Sequence, residues 1–105
     1  MAQIIKTDEF VSEVENKDGI VVVDFFATWC GPCKMLSPVF DSIGEEVKDK
    51  AQFLKVDIDQ SMELAHKFKV STVPTVIVFK NGQEMDRLVG FIPKASLKEK
   101  VESYL

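Results

Sequence analysis

Two runs of hydrophobic residues stand out along the chain. Ile20 to Phe26 is β-branched and aromatic throughout except at Asp24, and Thr75 to Lys80 is nearly uninterrupted in the same way. Such runs are typical of strands covered on both faces of a sheet. Asn81-Gly82 is a strong hairpin signal, so the strand that follows it should return antiparallel. Further strands are predicted at Gln3 to Lys6, Gln52 to Asp57 and Glu84 to Val89.

Between these runs, hydrophobic residues recur at the spacing of helices. Four helices are predicted: one capped by Thr7, one that begins near Cys33, one over Ser61 to Phe68 and one that begins near Pro93. Pro38 should kink the second of these helices. The expected inward positions are Phe10, Val11, Val14, Leu36, Val39, Phe40, Ile43, Val47, Leu64, Ala65, Phe68, Leu97, Val101, Tyr104 and Leu105, with Met35, Met62 and Met85 as core or edge filler. The resulting order, βαβαβαββα, predicts an α/β fold with a mixed central sheet and helices on both faces.

Composition narrows the class of protein. The 105 residues match one domain, expected to span 1–105, and the formal net charge of −4 argues against a nucleic-acid binder. No signal peptide is visible, and the longest apolar run is too short to span a bilayer. We therefore expect a cytoplasmic monomer that binds neither membranes nor nucleic acid. In a reducing cytosol, two cysteines three residues apart point to redox or metal chemistry.

The segment Cys30-Gly31-Pro32-Cys33 follows a predicted buried strand and opens a predicted helix. Residues three apart in a helical turn lie close enough for a disulfide to open and close with little backbone movement. Pro32 suits the first helical turn and should push Gly31 away from helical geometry. Because a helix N-terminus stabilises negative charge, Cys30 is the expected nucleophile. Cys33, expected to be more buried, is the expected resolving thiol.

The cysteine pair has two other interpretations. A structural staple would gain little from so short a loop and would not persist in a reducing compartment. A zinc site needs four ligands, and the only histidine, His66, lies on another predicted helix, so a metal would have to be shared between two chains. We predict no metal site, no cofactor beyond the redox-active disulfide, and an exposed His66 without a catalytic role.

Asp24 and Lys55 are charged residues within predicted strands. Asp24 is either a polar residue satisfied by a neighbour or a buried acid with a raised pKa that accepts the proton of Cys33. Lys55 either partners Asp24 from a neighbouring strand or is solvated at a strand face. Trp29 either packs or shields the thiol and offers apolar contact to a partner.

Several further motifs accompany Trp29-Cys30-Gly31-Pro32-Cys33-Lys34. They are Val23-Asp24-Phe25, Pro38, Lys55-Val56-Asp57, Val73-Pro74-Thr75, Phe79-Lys80-Asn81-Gly82 and Val89-Gly90. With this combination, the whole chain resembles the thioredoxin family.

The resemblance implies a protein-disulfide reductase of the thioredoxin fold that is recharged by a thioredoxin reductase. It implies that Asp24 is the buried acid, that Lys55 is its neighbour and that Pro74 is a cis-proline facing the cysteines. Trp29, Thr72, Val73, Pro74 and Gly90 are the expected substrate-binding residues. Phe26 stands where many members of the family carry a second tryptophan, and Thr72 and Phe91 occupy positions near the binding surface that are often smaller. These departures bear on partner choice.

Two rival functions stay open on the sequence alone. One is a disulfide oxidase or isomerase on the same fold, which the Gly-Pro spacer and the absence of a signal peptide argue against. The other is a non-redox binding module that holds a partner on the apolar patch near Trp29, Pro74 and Gly90.

Overall fold

A computed structural model describes residues 1–105, and its strands form one mixed five-stranded sheet in the order β1-β3-β2-β4-β5. The strands are β1 (Gln3–Ile4), β2 (Ile20–Phe26), β3 (Ala51–Asp57), β4 (Thr75–Lys80) and β5 (Gln83–Val89). Strands β1, β3 and β2 are parallel, whereas β4 runs antiparallel to both β2 and β5. Asn81 and Gly82 both have positive φ, at 52° and 81°, and connect β4 to β5 as the hairpin signal predicted. The expected α/β fold with a mixed sheet is confirmed.

Three α-helices flank the sheet: α1 (Gly31–Glu46), α2 (Met62–Lys67) and α3 (Lys94–Glu102). Helix α1 begins at Gly31, so the expectation that Pro32 would hold Gly31 outside the helix is wrong. Cys30, with extended backbone angles, is instead the residue that caps it. Pro38 lies within α1 without ending it.

The first predicted helix is replaced by a 3-10 turn at Thr7–Glu9 and a π-helical turn at Val11–Glu15. Thr7 does not cap it, because Lys6 occupies that position and donates its backbone N–H to the Glu9 carboxylate at 3.0 Å. The wider π turn also breaks the regular helical spacing. Phe10 and Val14 are buried as predicted, but Val11 is 53% exposed.

Alternate side chains of the central strands build two hydrophobic layers. Val22 of β2 packs with Leu36, Phe40 and Ile43 of α1 and with Leu97 and Val101 of α3 on one face. Val21, Val23 and Phe25 of the same strand pack on the other face with Phe10, Val14 and Leu64. This two-sided burial explains why β2 lacks polar alternation.

Some peripheral expectations fail. Met35, Met62 and Met85, expected as core or edge filler, are all exposed on the surface, and none of them fills the core. Leu105 is also exposed, because α3 ends at Glu102 and the last residues no longer follow its helical spacing. Val39, Ala65, Phe68 and Tyr104 are half-buried at the edges of the two layers.

Candidate functional site

The cysteine pair lies where strand β2 gives way to helix α1. Cys30 and Cys33 form a disulfide with their Cα atoms 5.2 Å apart, inside the range that a disulfide requires. The backbone N–H of Cys33 donates to Cys30 Sγ at 3.1 Å. After reduction, this amide and the positive end of the α1 dipole would both stabilise a thiolate on Cys30.

Both cysteines are largely covered. Cys30 is 5% exposed and Cys33 is 3% exposed, so the disulfide form lacks the clear difference in burial that the sequence predicted. The capping geometry, rather than burial, distinguishes the two sulfurs here. Ala27, Phe26, Ile58 and Val73 surround the pair with apolar groups.

A loop that precedes β4 faces the disulfide. The Val73–Pro74 peptide bond is cis, and the carbonyl oxygen of Val73 lies 3.6 Å from Cys30 Sγ. Gly90 adopts a positive φ of 91° and donates its N–H to the Pro74 carbonyl at 2.8 Å. Thr75 donates its hydroxyl to the Thr72 carbonyl at 2.6 Å. These hydrogen bonds fix the backbone of residues 72–74 and 90 beside the cysteine pair.

The surface around the disulfide is apolar. Trp29 is 68% exposed, and Val89 and Phe91, which flank Gly90, are exposed as well. Gly31 and Pro32 also lie at the surface. The interpretation of Trp29 as a packed core residue is therefore wrong.

Asp59 holds the Trp29 side chain and was missed in the sequence analysis. The indole N–H donates to Asp59 Oδ2 at 2.8 Å. Trp29 follows β2 and Asp59 follows β3, and the carboxyl ends of these parallel strands lie at the same edge of the sheet. That relation was available from the predicted order of strands.

Asp24 is buried on the sheet face that α1 covers. It is 1% exposed, and its Oδ1 atom has no hydrogen-bond partner. Burial raises the pKa of Asp24 from 3.8 to about 7; the positive charge of Lys55 opposes this rise, and the negative charge of Asp41 adds to it. Of the two expectations for Asp24, the structure favours the buried acid with a raised pKa.

Lys55 departs from both expectations. It lies opposite Asp24 in the β2–β3 register but is only 5% exposed, so it is not a solvated strand lysine. Its ammonium donates to Ser37 Oγ at 2.6 Å and lies 3.2 Å from an Asp41 carboxylate oxygen. It makes no ion pair with Asp24. Helical spacing could have indicated this site, since Cys33, Ser37 and Asp41 are successive i, i+4 positions on α1.

His66 is exposed on α2, and no group of three or more histidine, cysteine, aspartate or glutamate side chains is arranged to hold a metal ion. None of the helices has the length and apolar content that crossing a bilayer requires.

The sequence of the chain is similar to those of known proteins. A sequence profile for thioredoxin matches residues 1–103. Thioredoxins from the Staphylococcus aureus strains Mu50, MW2 and N315 are each 46% identical to the chain over 106 aligned positions, which cover all of both proteins.

Proposed function

The chain belongs to the thioredoxin family and is a thiol–disulfide oxidoreductase that reduces protein disulfides, and on that premise we propose that it is a general cytoplasmic reductant recharged by a thioredoxin reductase. The observation that carries this proposal is the Cys30–Cys33 disulfide at the N-terminus of α1, beside Trp29 and Pro74. The chain acts as a monomeric single domain, and disulfide-containing proteins are its substrates.

The two cysteines divide the reaction between them. The Cys30 thiolate attacks one sulfur of the substrate disulfide, forms a mixed disulfide and releases the other substrate sulfur as a thiolate that takes up a proton. Cys33 then loses its proton and attacks Cys30 Sγ, which releases the second substrate thiol. Two electrons pass to the substrate, and the protein is left with the Cys30–Cys33 disulfide. Gly31 and Pro32 set the spacing that lets this ring close.

Asp24 accepts the proton that Cys33 loses. A carboxylate is the stronger base the higher its pKa, and burial brings the pKa of Asp24 to about 7, near the working pH. No hydrogen bond joins Asp24 to either cysteine, so the proton passes through water. Lys55 tunes this acid, because its positive charge lowers the pKa of Asp24.

The substrate binds as an extended segment beside the Val73–Pro74 loop. The N–H and C=O of Val73 make no backbone hydrogen bond within the protein and are available to pair with a substrate strand. Thr72, Pro74 and Gly90 shape the backbone on either side, and Trp29 adds an apolar wall. A surface that recognises mainly backbone accepts many sequences, which suits a general reductant.

The reduction potential of the Cys30–Cys33 couple tests the proposed direction of electron flow. Trp29 is the only tryptophan, so its fluorescence should report the redox state during titration against a dithiol buffer. Thioredoxins as a class have potentials of about −270 mV, and we expect a similar value together with reduction by a thioredoxin reductase. A potential near about −180 to −120 mV would contradict the proposal and indicate an oxidase or isomerase.

Asp59→Asn tests the substrate-binding role of Trp29. The substitution weakens the 2.8 Å hydrogen bond to the indole by removing the charge of its acceptor. A less ordered Trp29 should contribute about 1 kcal/mol less to the free energy of substrate binding. KM for a protein disulfide should therefore rise by roughly fivefold while kcat changes little. Asp49→Asn, an exposed aspartate without an ion pair, is the control. An unchanged KM would mean that the held indole does not contribute to substrate binding.

A further inference from the structure

The ammonium group of Lys55 bonds to helix α1 and not to Asp24, its partner in the strand register. Asp24 and Lys55 are register partners on parallel strands, so their side chains leave the sheet on the same side. An ammonium and a carboxylate placed in this way would be expected to pair. Instead, Asp24 Oδ1 has no hydrogen-bond partner, and Lys55 bonds to helix α1.

Two side chains of α1 hold the ammonium group. Ser37 Oγ accepts from Lys55 Nζ at 2.6 Å, and Asp41 forms a partly buried ion pair with it at 3.2 Å. Asp41 is itself fixed, because its Oδ1 accepts the Ala2 backbone N–H at 3.0 Å. The lysine is thus bound to a serine and a carboxylate that lie one and two helical turns beyond Cys33 on α1.

We propose that Ser37 and Asp41 are positioning residues that anchor Lys55 on helix α1 and keep its ammonium from pairing with the Asp24 carboxyl. This inference deepens the proposed function, since it rests on Asp24 being the base for Cys33. A direct ion pair would make Asp24 a weaker base at neutral pH. The anchor leaves Asp24 enough affinity for a proton to serve the resolving step.

Few charged groups surround Asp24, so the effect of the Lys55 anchor on the titration of Asp24 can be isolated. Lys55 faces it from β3 and Asp41 from α1, and its partner on β4 is the apolar Val76. Cys30 and Cys33 do not titrate while they are disulfide-bonded. The oxidised protein therefore reports Asp24 without interference from the cysteines.

The test is a carbon-13 NMR titration of the Asp24 carboxyl in the oxidised protein, with the resonance assigned from Asp24→Asn. Asp41→Asn should lower the titration midpoint by about 1 unit or more, as expected for a carboxyl that gains a nearby cation. Ser37→Ala should lower it less, in the same direction. Ser42→Ala, a serine on the same helix that bonds Glu46 and Lys94 instead of Lys55, should leave it unchanged.

Repeating both substitutions in a Lys55→Met background separates anchoring from the charge of Asp41 itself. Without Lys55, Ser37→Ala should have no effect, and Asp41→Asn should give a smaller shift than before. Lys55→Gln replaces Lys55→Met if the latter does not fold. An unchanged or raised midpoint in Ser37→Ala, or shifts equal with and without Lys55, would overturn the proposal. The titration does not depend on turnover, so it tests the anchoring of Lys55 alone. Failure of the proposed role of Asp24 as a base would appear in a different measurement, as unchanged resolution kinetics in Asp24→Asn.

Discussion

Cys30→Ser should abolish disulfide reduction, whereas Cys33→Ser should stop the reaction halfway with the substrate bound to Cys30. Without the Cys30 thiolate there is no attacking sulfur, and activity should fall by several orders of magnitude. Without Cys33 the first attack still proceeds, but nothing resolves the mixed disulfide. Mass spectrometry of Cys33→Ser with a disulfide-containing protein should detect a covalent complex that a dithiol reductant releases.

The assignment of roles depends on the helix start. Cys30 caps α1, and its sulfur accepts the Cys33 backbone N–H at 3.1 Å, whereas Cys33 lies within the helix. Charge on sulfur is therefore stabilised at Cys30. Cys33→Ala is a second trapping variant that excludes an effect of the serine hydroxyl. A covalent complex in Cys30→Ser and none in Cys33→Ser would reverse the two roles.

Most of the fold could be predicted because its main signals are local. The apolar run Ile20 to Phe26 matches β2 residue for residue, and Asn81-Gly82 sets the hairpin. The helix predicted from Thr7 was wrong, because a hydrophobic stripe does not distinguish an α-helix from a 3-10 turn followed by a π turn. The prediction for Gly31 was also wrong. A residue before proline tends to avoid helical backbone angles, but this tendency is weak and the helix begins at Gly31 nonetheless.

The site was predictable in its chemistry but not in its side-chain partners. Asp24 stands out because it is a charged residue within an apolar strand. Cys30 and Cys33 stand out because they lie three residues apart where a helix is predicted to begin. The partner of Lys55 depends on which helix covers that face of the sheet and how closely it packs, which is a tertiary property. A neighbouring-strand position suggested Asp24 as the partner of Lys55, but Ser37 and Asp41 bind the ammonium instead.

Asp24→Asn should make the protein more stable above neutral pH. Burial raises the pKa of the folded-state carboxyl from 3.8 to about 7, so the folded state retains a proton that the unfolded chain releases between these values. The stability contributed by protonated Asp24 is full below pH 3.8 and is lost as the pH rises through about 7. Asparagine stays neutral, so its advantage should grow across this window and reach up to about 4 kcal/mol at pH 8.

Urea unfolding of the oxidised protein from pH 5 to pH 8 measures this advantage. Asp49→Asn, which removes an exposed carboxylate, is the control and should show little change of stability with pH relative to the unsubstituted protein. A stability difference for Asp24→Asn that stays constant with pH would mean that the folded-state pKa of Asp24 is not raised.

The same substitution should slow the resolving step while it stabilises the fold. Asparagine cannot accept the Cys33 proton, so release of substrate from the mixed disulfide should slow by up to about 10²-fold, and its pH dependence should lose the titration near 7. The first attack by Cys30 should be nearly unaffected, and stopped-flow measurement of the two steps separates them. An unchanged pH profile of release would remove Asp24 from the mechanism. The expected pair of results, higher stability with slower resolution, would mean that the free energy spent on burying this acid is retained because the reaction needs a base with a raised pKa.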